Sequence, residues 1–354
     1  MSGYVFAGNA TVGSYVDRML APLGWQREDA PEDADAIITY FTAGGALEDA
    51  YFDTDGFINR AAPKTLLIDL SPATPNFARE LASVALVNDL RPVESPLIAL
   101  DTSIPDAFES PENIACFVAG EQDDIEAARA ILEALIGNAQ IVGASGAAQL
   151  ARSALTAQIA AQTVAAIEAD ALYRAVAKDA TMPDMGAGHS GAASPYAAQV
   201  LAAVDEERYH GTYTIEMMMG EVTAAMAAAD DQELILPQLE STVRLLELLI
   251  IIGGVDMSPA GLALLYREEE VVKAAGLDWA RAQDYYSTDA DLKELRETLE
   301  SAGIESLFGS SDLFGLDDDD DFGDFDDLDD FDDEDRNDNR FDDYLGGFGG
   351  YSAN

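Results

Sequence analysis

The chain has 354 residues, 48% of them hydrophobic, which is enough to fill more than one core, and its single cysteine, Cys116, excludes a scaffold built on internal disulfides. Its 67 acidic against 19 basic residues give a net charge of −48, which repels phosphate backbones and anionic lipids and makes nucleic acid and membrane surfaces poor partners. The opening MSGYVFAGNA shows no basic stretch before an apolar one, and the longest apolar run, 248–255, is far below the ~20 residues that span a bilayer, so a soluble chain in a reducing cytoplasm is expected.

Residues 4 to 142 repeat one rhythm, a short apolar run followed by a helical pattern. Tyr4–Ala7, Ala36–Phe41, Thr65–Leu70, Ile114–Val118 and Gln140–Val142 read as buried strands, and Val12–Leu23, Pro75–Asn88 and Asp123–Ile136 as helices between them. Strands alternating with helices imply a mostly parallel sheet covered on both faces. From Ala147 to about Lys178 an Ala-rich stretch without proline reads as one long helix. After a Gly/Ser/Pro-rich break at Met182–Pro195, helical patterns recur at Ala197–Glu207, Thr214–Ala229, Pro237–Ile252, Pro259–Ala275 and Asp289–Ala302. The expected organisation is an α/β domain over 1–146 with a shortened Rossmann-like parallel sheet, an all-α domain over 147–302, and a tail over 303–354.

Between Asp317 and Asp343 stand 17 acidic residues against Arg336 and Arg340, interleaved with Phe322, Phe325, Phe331 and Phe341. Such like-charge density is expected to be disordered and to suit a basic protein partner. The rest of the chain still holds 50 acidic and 17 basic residues, four of them lysine. Either a salty medium, where ions screen crowded carboxylates, or an ordinary acidic protein accounts for that excess.

The first strand runs into Gly8-Asn9-Ala10-Thr11-Val12-Gly13 and then a helix, with Ala10 in place of the middle glycine of G-x-G-x-x-G. In that setting glycine permits the tight turn and close backbone approach, and the helix N-terminus offers N–H donors to a pyrophosphate. Further pieces follow in order: Ala36–Phe41, Asp69-Leu70-Ser71-Pro72-Ala73-Thr74-Pro75, Cys116–Gly120, Gly143–Arg152 and Gly253–Asp256. Together, over roughly residues 4 to 275, they resemble the β-hydroxyacid dehydrogenase family, which includes 3-hydroxyisobutyrate dehydrogenase and, more distantly, 6-phosphogluconate dehydrogenase. The resemblance implies a Rossmann-like domain followed by a helical one, dimerisation through helices, and NAD or NADP held at Gly8, Asn9, Ala10, Thr11, Val12, Gly13 and Thr42. It places Ser71 and Ser95 near a small hydroxyacid substrate.

Several positions depart from the family pattern. Arg152 stands where the family has a lysine that passes a proton to and from the substrate, and a guanidinium, with a pKa above ~12, cannot do so near neutrality. Thr156 replaces an asparagine one turn later. The substrate loop D-A-P-V-S-G-G corresponds to Glu94-Ser95-Pro96-Leu97-Ile98-Ala99-Leu100, whose apolar side chains would fill a carboxylate subsite. A KDL-like pair falls on Gly220-Glu221. Between Gly24 and Ala36 there is no β-branched run, so the second Rossmann strand and its helix read as deleted, leaving Arg27, Glu28 or Asp29 as loop residues that could reach a phosphate or ribose.

Other chemistries find little support. His189, His210 and Cys116 have no zinc spacing, Ser145 lacks a G-x-S-x-G elbow, Met217-Met218-Met219 reads as core, and the Asp-rich tail lacks a calcium loop's fixed Gly and Glu, so no resident metal is expected. Two functions stay open: an NAD(P)-dependent dehydrogenase or reductase of small hydroxyacids resembling 3-hydroxyisobutyrate dehydrogenase, and a non-catalytic, dehydrogenase-derived dimeric binding protein presenting an acidic tail.

Overall fold

The computed structural model describes residues 2–177 and 194–287. In β1 (Gly3–Gly8) the side chains of Tyr4 and Phe6 enter one core while Val5 enters another. Successive strand side chains point to opposite faces, and both faces are covered, so the segment reads as a continuous apolar run. Asn9 caps α1 (Ala10–Leu20), whose Val12, Tyr15, Val16 and Leu20 recur with helical spacing and are buried. Next come β2 (Gln26–Arg27), β3 (Ala36–Tyr40), α2 (Gly44–Phe52), α3 (Phe57–Arg60), β4 (Leu66–Asp69), α4 (Pro75–Val87), β5 (Arg91–Glu94), β6 (Leu97–Ala99), β7 (Ile114–Gly120), α5 (Gln122–Leu135) and β8 (Asn138–Gly143).

The strands form one eight-stranded sheet. β2, β1, β3, β4 and β5 pair in parallel, β7 runs antiparallel to β5 and β6, and β8 closes the far edge parallel to β7. β5 and β6 share one register on β7 and are interrupted at Ser95-Pro96, where proline has no N–H to give the ladder. One face carries Val5, Ile37 and Leu67 against α2 and α4 through Leu47, Tyr51, Phe77 and Leu81. The other carries Tyr4, Phe6, Ile38, Tyr40 and Ile68 against α1 and α5, and this core continues into the helical region through Val164, Ile167, Met217, Met219, Leu246 and Leu249.

That region comprises α6 (Ala147–Ala177), α7 (Pro195–Asp205), α8 (Ile215–Asp230), α9 (Pro237–Ile251), α10 (Glu269–Ala274) and α11 (Trp279–Ser287). Met217, Met218 and Met219 are buried core residues, as their composition suggested. The fold is the expected one, with three corrections.

The second strand is shortened, not deleted: Gln26 and Arg27 pair with Gly3 and Tyr4. Both are exposed, so no apolar pattern marks them, and a 3₁₀ turn at Pro31–Asp33 replaces the following helix. The stretch 259–275 is not one helix. Pro259–Tyr266 is a 3₁₀ segment buried on all sides up to Leu264, Arg267 is extended, and α10 begins behind Glu268. A segment apolar all round has no face to align an α-helix on the core. Finally, α2 has no side-chain cap and begins Gly-Gly, which left it without a start signal. Lys178, most of the 182–195 break with His189, the pattern at 289–302 and the acidic tail lie outside the described residues.

Candidate functional site

The C-terminal ends of β1 and β3 meet where strand order reverses, the position at which open α/β sheets leave a crevice. Gly8 turns there with φ 119°, and a Cβ on it would lie 1.9 Å from the Tyr40 carbonyl oxygen, so glycine is required. The Asn9 N–H donates to that same oxygen at 2.8 Å. The Asn9 side-chain oxygen accepts from Thr11 N–H at 3.0 Å and Val12 N–H at 3.3 Å. Two donors that a pyrophosphate would use at the start of α1 are thus engaged by the chain itself. Gly13 serves packing, because a Cβ would lie 2.9 Å from the Phe6 ring. On the β2 side Arg27 donates to Asp17 at 2.8 Å and to the Phe6 carbonyl at 3.3 Å, with its guanidinium over the Phe6 ring.

A second cluster of buried polar groups is assembled around the start of α6. Gly146, at φ 92°, leads into the helix, and the buried Glu94 carboxylate accepts from Gly146 N–H at 2.6 Å and from Gln149 N–H. Burial raises the Glu94 pKa, while those backbone donors oppose the shift. Gln149 accepts from Ala73 N–H and donates to the Ser71 carbonyl, tying α6 to the loop after β4. Ser71 is buried, and its hydroxyl accepts from Phe41 N–H at 3.0 Å. Ser95 is buried too, with its hydroxyl unpartnered. Asp69 sits beneath them, accepting from Thr39 Oγ1 and Ser71 N–H, and burial pushes its carboxyl up to about 6 against those donors.

Arg152 is 3% exposed. Its Nε donates to the Leu97 carbonyl at 3.1 Å, Nη1 to Thr156 Oγ1, and Nη2 pairs with Glu221 Oε1 at 2.5 Å. Tyr213 donates its hydroxyl to the other Glu221 oxygen at 2.7 Å. Burial pulls the guanidinium pKa down, but the Glu221 carboxylate, aided by Tyr213 and Tyr40, outweighs it and the net shift is upward. Burial and the same carboxylate hold the Tyr213 phenol well above its usual value. Ile98 and Ala99, where the resemblance places the serine and first glycine of the S-G-G segment, are, like Leu97, buried strand residues paired with β7.

A cleft of about 370 Å³ remains at the ends of β3 and β4, between the starts of α2 and α4 and the flank of α8. Thr42, Pro72, Thr74, Gly220 and Thr223 line it, whereas Gly8–Gly13 and Arg152 do not. α8 comes so close that a Cβ on Gly220 would lie 2.2 Å from the Thr42 carbonyl oxygen. Thr42 donates its hydroxyl to Glu216 at 3.0 Å, and the Thr223 hydroxyl oxygen is buried without a partner. Among the described residues no cluster of three His, Cys, Asp or Glu could hold a metal ion, and no helix is long and apolar enough to cross a membrane.

Of the expected site residues, Arg152 and Thr156 are brought together, Ser71 and Ser95 lie in adjoining buried loops, Gly8–Gly13 forms the turn, and Thr42 lines the remaining cleft. Glu94, Gln149, Tyr213 and the pairing role of Glu221 escaped the sequence reading. A buried cation in an otherwise uncharged stretch of α6 signals that a buried anion must answer it.

Residues 15–143 match the family model for the NAD binding domain of 6-phosphogluconate dehydrogenase, a stretch that begins after the glycine turn. The NAD-dependent L-serine dehydrogenase of Pseudomonas aeruginosa is 26% identical over 219 residues, 61% of this chain and 66% of that protein. The 3-hydroxyisobutyrate dehydrogenase of the same organism is 31% identical over 121 residues, 34% of this chain and 39% of that one. The matched stretches therefore span less than two thirds of these relatives. A solved structure of Mycobacterium tuberculosis 3-hydroxyisobutyrate dehydrogenase with L-serine superposes with a TM-score of 0.62 at 19% identity, covering 76% of this chain and all of that one. That likeness speaks to fold. With the match over residues 15–143 and the partial similarity to the two Pseudomonas aeruginosa dehydrogenases, it makes this chain similar to the β-hydroxyacid dehydrogenases in fold and, over part of its length, in sequence.

Proposed function

We propose that this chain is a dehydrogenase-derived, NAD(P)-binding-type protein that does not carry out hydride transfer by the family's lysine route and acts instead by binding. The reading rests on Arg152: at the position of the proton-transferring lysine, all three guanidinium nitrogens are engaged by protein acceptors and the group is out of solvent. A hydroxyacid carboxylate could reach it only by displacing Glu221, and uncovering one member of a buried pair costs about 3–5 kcal/mol, or about two to four powers of ten in affinity. The phosphate end is a better fit to a dinucleotide, since Gly8 and the start of α1 keep the needed backbone shape, with the Asn9 side chain as the group to be displaced. A bound nicotinamide cofactor would supply hydride chemistry; the guanidinium of Arg152, at the lysine position, supplies no proton for it near neutrality. Residues 317–343 extend the binding role to a basic partner.

The test is a titration of NADH and NADPH followed by cofactor fluorescence, with turnover assayed on L-serine and 3-hydroxyisobutyrate. Saturable binding without turnover is expected. Thr11→Asp, which puts a carboxylate where a phosphate would sit, should abolish the binding. Turnover by the wild type, lost in Arg152→Lys, would overturn the reading and favour a working dehydrogenase, the alternative that the 219-residue similarity to L-serine dehydrogenase supports.

A further inference from the structure

β2 stops early. Gln26 and Arg27 align with Gly3 and Tyr4, and the ladder ends where the Glu28 N–H donates to the Tyr4 carbonyl at 2.8 Å. Along this edge of β1 the carbonyls of Ser2 and Tyr4 accept from the β2 segment, and Phe6 comes next in the same alternation. There the short strand has already ended, and the Phe6 carbonyl accepts instead from Arg27 Nη2 at 3.3 Å, while Nη1 donates to Asp17 at 2.8 Å. Arg27 thus stands in for the ladder donor of a longer strand, with its guanidinium engaged by β1 and α1. Glu28 follows Gly8 by about 20 residues, the spacing at which a Rossmann unit carries the acid that holds an adenosine ribose. Its side chain lies instead beside Gly3, with Cγ 2.8 Å from where a Cβ on that glycine would stand. Gly3 and Gly8 are opposite ends of β1, about 16 Å apart at about 3.3 Å per residue. Asp35 stays at the Gly3 end too: its N–H donates to the Gly3 carbonyl at 2.9 Å, and its carboxylate accepts from the Gly3 N–H at 3.0 Å.

The strand end that would hold an adenosine is therefore missing beside Gly8, whereas other parts of a nucleotide site are kept. The turn at Gly8 is tied to β3 through the Asn9 N–H and the Tyr40 carbonyl, and the cleft of about 370 Å³ opens two residues further on, at Thr42. That volume lies near the lower end of the ~300–1,000 Å³ usual for ligand clefts, which suits one nucleoside and not two. Pro72 and Phe77 give it apolar surface, and Thr42, Thr74 and Thr223 bring hydroxyl-bearing side chains. Given the NAD(P) binding proposed for this chain, on which this rests, we propose that the site reads only the nicotinamide mononucleotide half of the cofactor. The adenosine half, and with it any 2′-phosphate, stays in solvent. NADH and NADPH are then equivalent ligands, and the mononucleotide alone is a sufficient one.

Fluorescence titration of the full chain in 1 M KCl tests this, at a screening length of about 3 Å, where the net charge of −48 no longer weighs against an extra phosphate. NADH and NADPH should bind with dissociation constants within about threefold of each other, and reduced nicotinamide mononucleotide within about tenfold of NADH. In competition, nicotinamide mononucleotide should displace NADH at least about tenfold better than AMP, although each carries one phosphate and one nucleoside. Arg27→Ala should leave the ratio of NADH to NADPH affinity near one, since Arg27 is held by Asp17 and the Phe6 carbonyl. Four results overturn the inference while cofactor binding itself stands. They are a preference of about tenfold or more between NADH and NADPH, AMP competing as well as nicotinamide mononucleotide, reduced mononucleotide failing to bind, and NADPH affinity falling selectively in Arg27→Ala. The last would show the guanidinium leaving Asp17 for a 2′-phosphate. Failure of both NADH and NADPH to bind overturns the inference together with the reading beneath it.

Discussion

Replacing Glu221 by leucine strips Arg152 of its counter-ion without opening a route for water, since the two residues are 7% and 3% exposed and Thr156 and Leu97 close the remaining sides. The guanidinium keeps two hydrogen bonds but loses the 2.5 Å ion pair, and the Tyr213 hydroxyl loses its acceptor. Breaking a buried pair costs about 3–5 kcal/mol, and the orphaned phenol adds about 1–3 kcal/mol. With a urea slope of about 3 kcal/mol/M, the upper end for a single domain, the midpoint should fall by at least about 1 M. The double variant Arg152→Met/Glu221→Leu removes both charges and should recover most of the loss, because well-packed apolar replacements of buried pairs are often neutral or stabilising. Urea unfolding of both variants, followed by intrinsic fluorescence, gives the comparison. A loss below about 1 kcal/mol in the single variant would mean that solvent reaches the pair, and the argument that a substrate cannot reach Arg152 would fall with it.

Gly220→Ala should destabilise by about 1–3 kcal/mol despite alanine's better helix propensity, since its methyl meets the Thr42 carbonyl at 2.2 Å; a thermal melt with a raised midpoint would contradict this. Asn9→Ala removes the α1 cap at a cost of about 1 kcal/mol and frees two N–H donors, so chemical denaturation should show the loss while NADH binding tightens. Asp69, with its folded pKa raised to about 6, holds its proton more tightly folded than unfolded, so its contribution falls as pH rises from about 4 to 6, by up to about 3 kcal/mol. Asp69→Asn should therefore flatten the stability profile across that window, and wild-type and variant urea midpoints that run parallel from pH 4 to 6.5 would refute it.

The pieces legible in the sequence were those with strong local signals. β1 and α1 announce themselves through an apolar run and a glycine turn, and α6 through a long stretch of good helix formers. What escaped is non-local or weakly patterned. β2 is held by its alignment with Gly3 and Tyr4, not by any preference of Gln26 or Arg27. The position of Arg152 was readable, and so was the KDL-like position of Glu221, but their meeting depends on how α8 crosses α6, which neither helix's own periodicity reports. The apolar substitution at Leu97, Ile98 and Ala99 read as filling of a pocket; its structural expression is a regular strand against β7.

The contact between Gly220 and Thr42 limits which substitutions this region can accept. Under the proposed function, Arg152→Lys is a single replacement that would put an amine where the resemblance expects a proton-transferring lysine. A longer side chain at 220 cannot be introduced in the same way, because even a first methyl at that position collides with backbone and α8 would have to move before it could be accepted. The two positions thus differ in what a substitution can achieve alone: at 152 the limit is the residue itself, while at 220 it is a helix seated against the sheet.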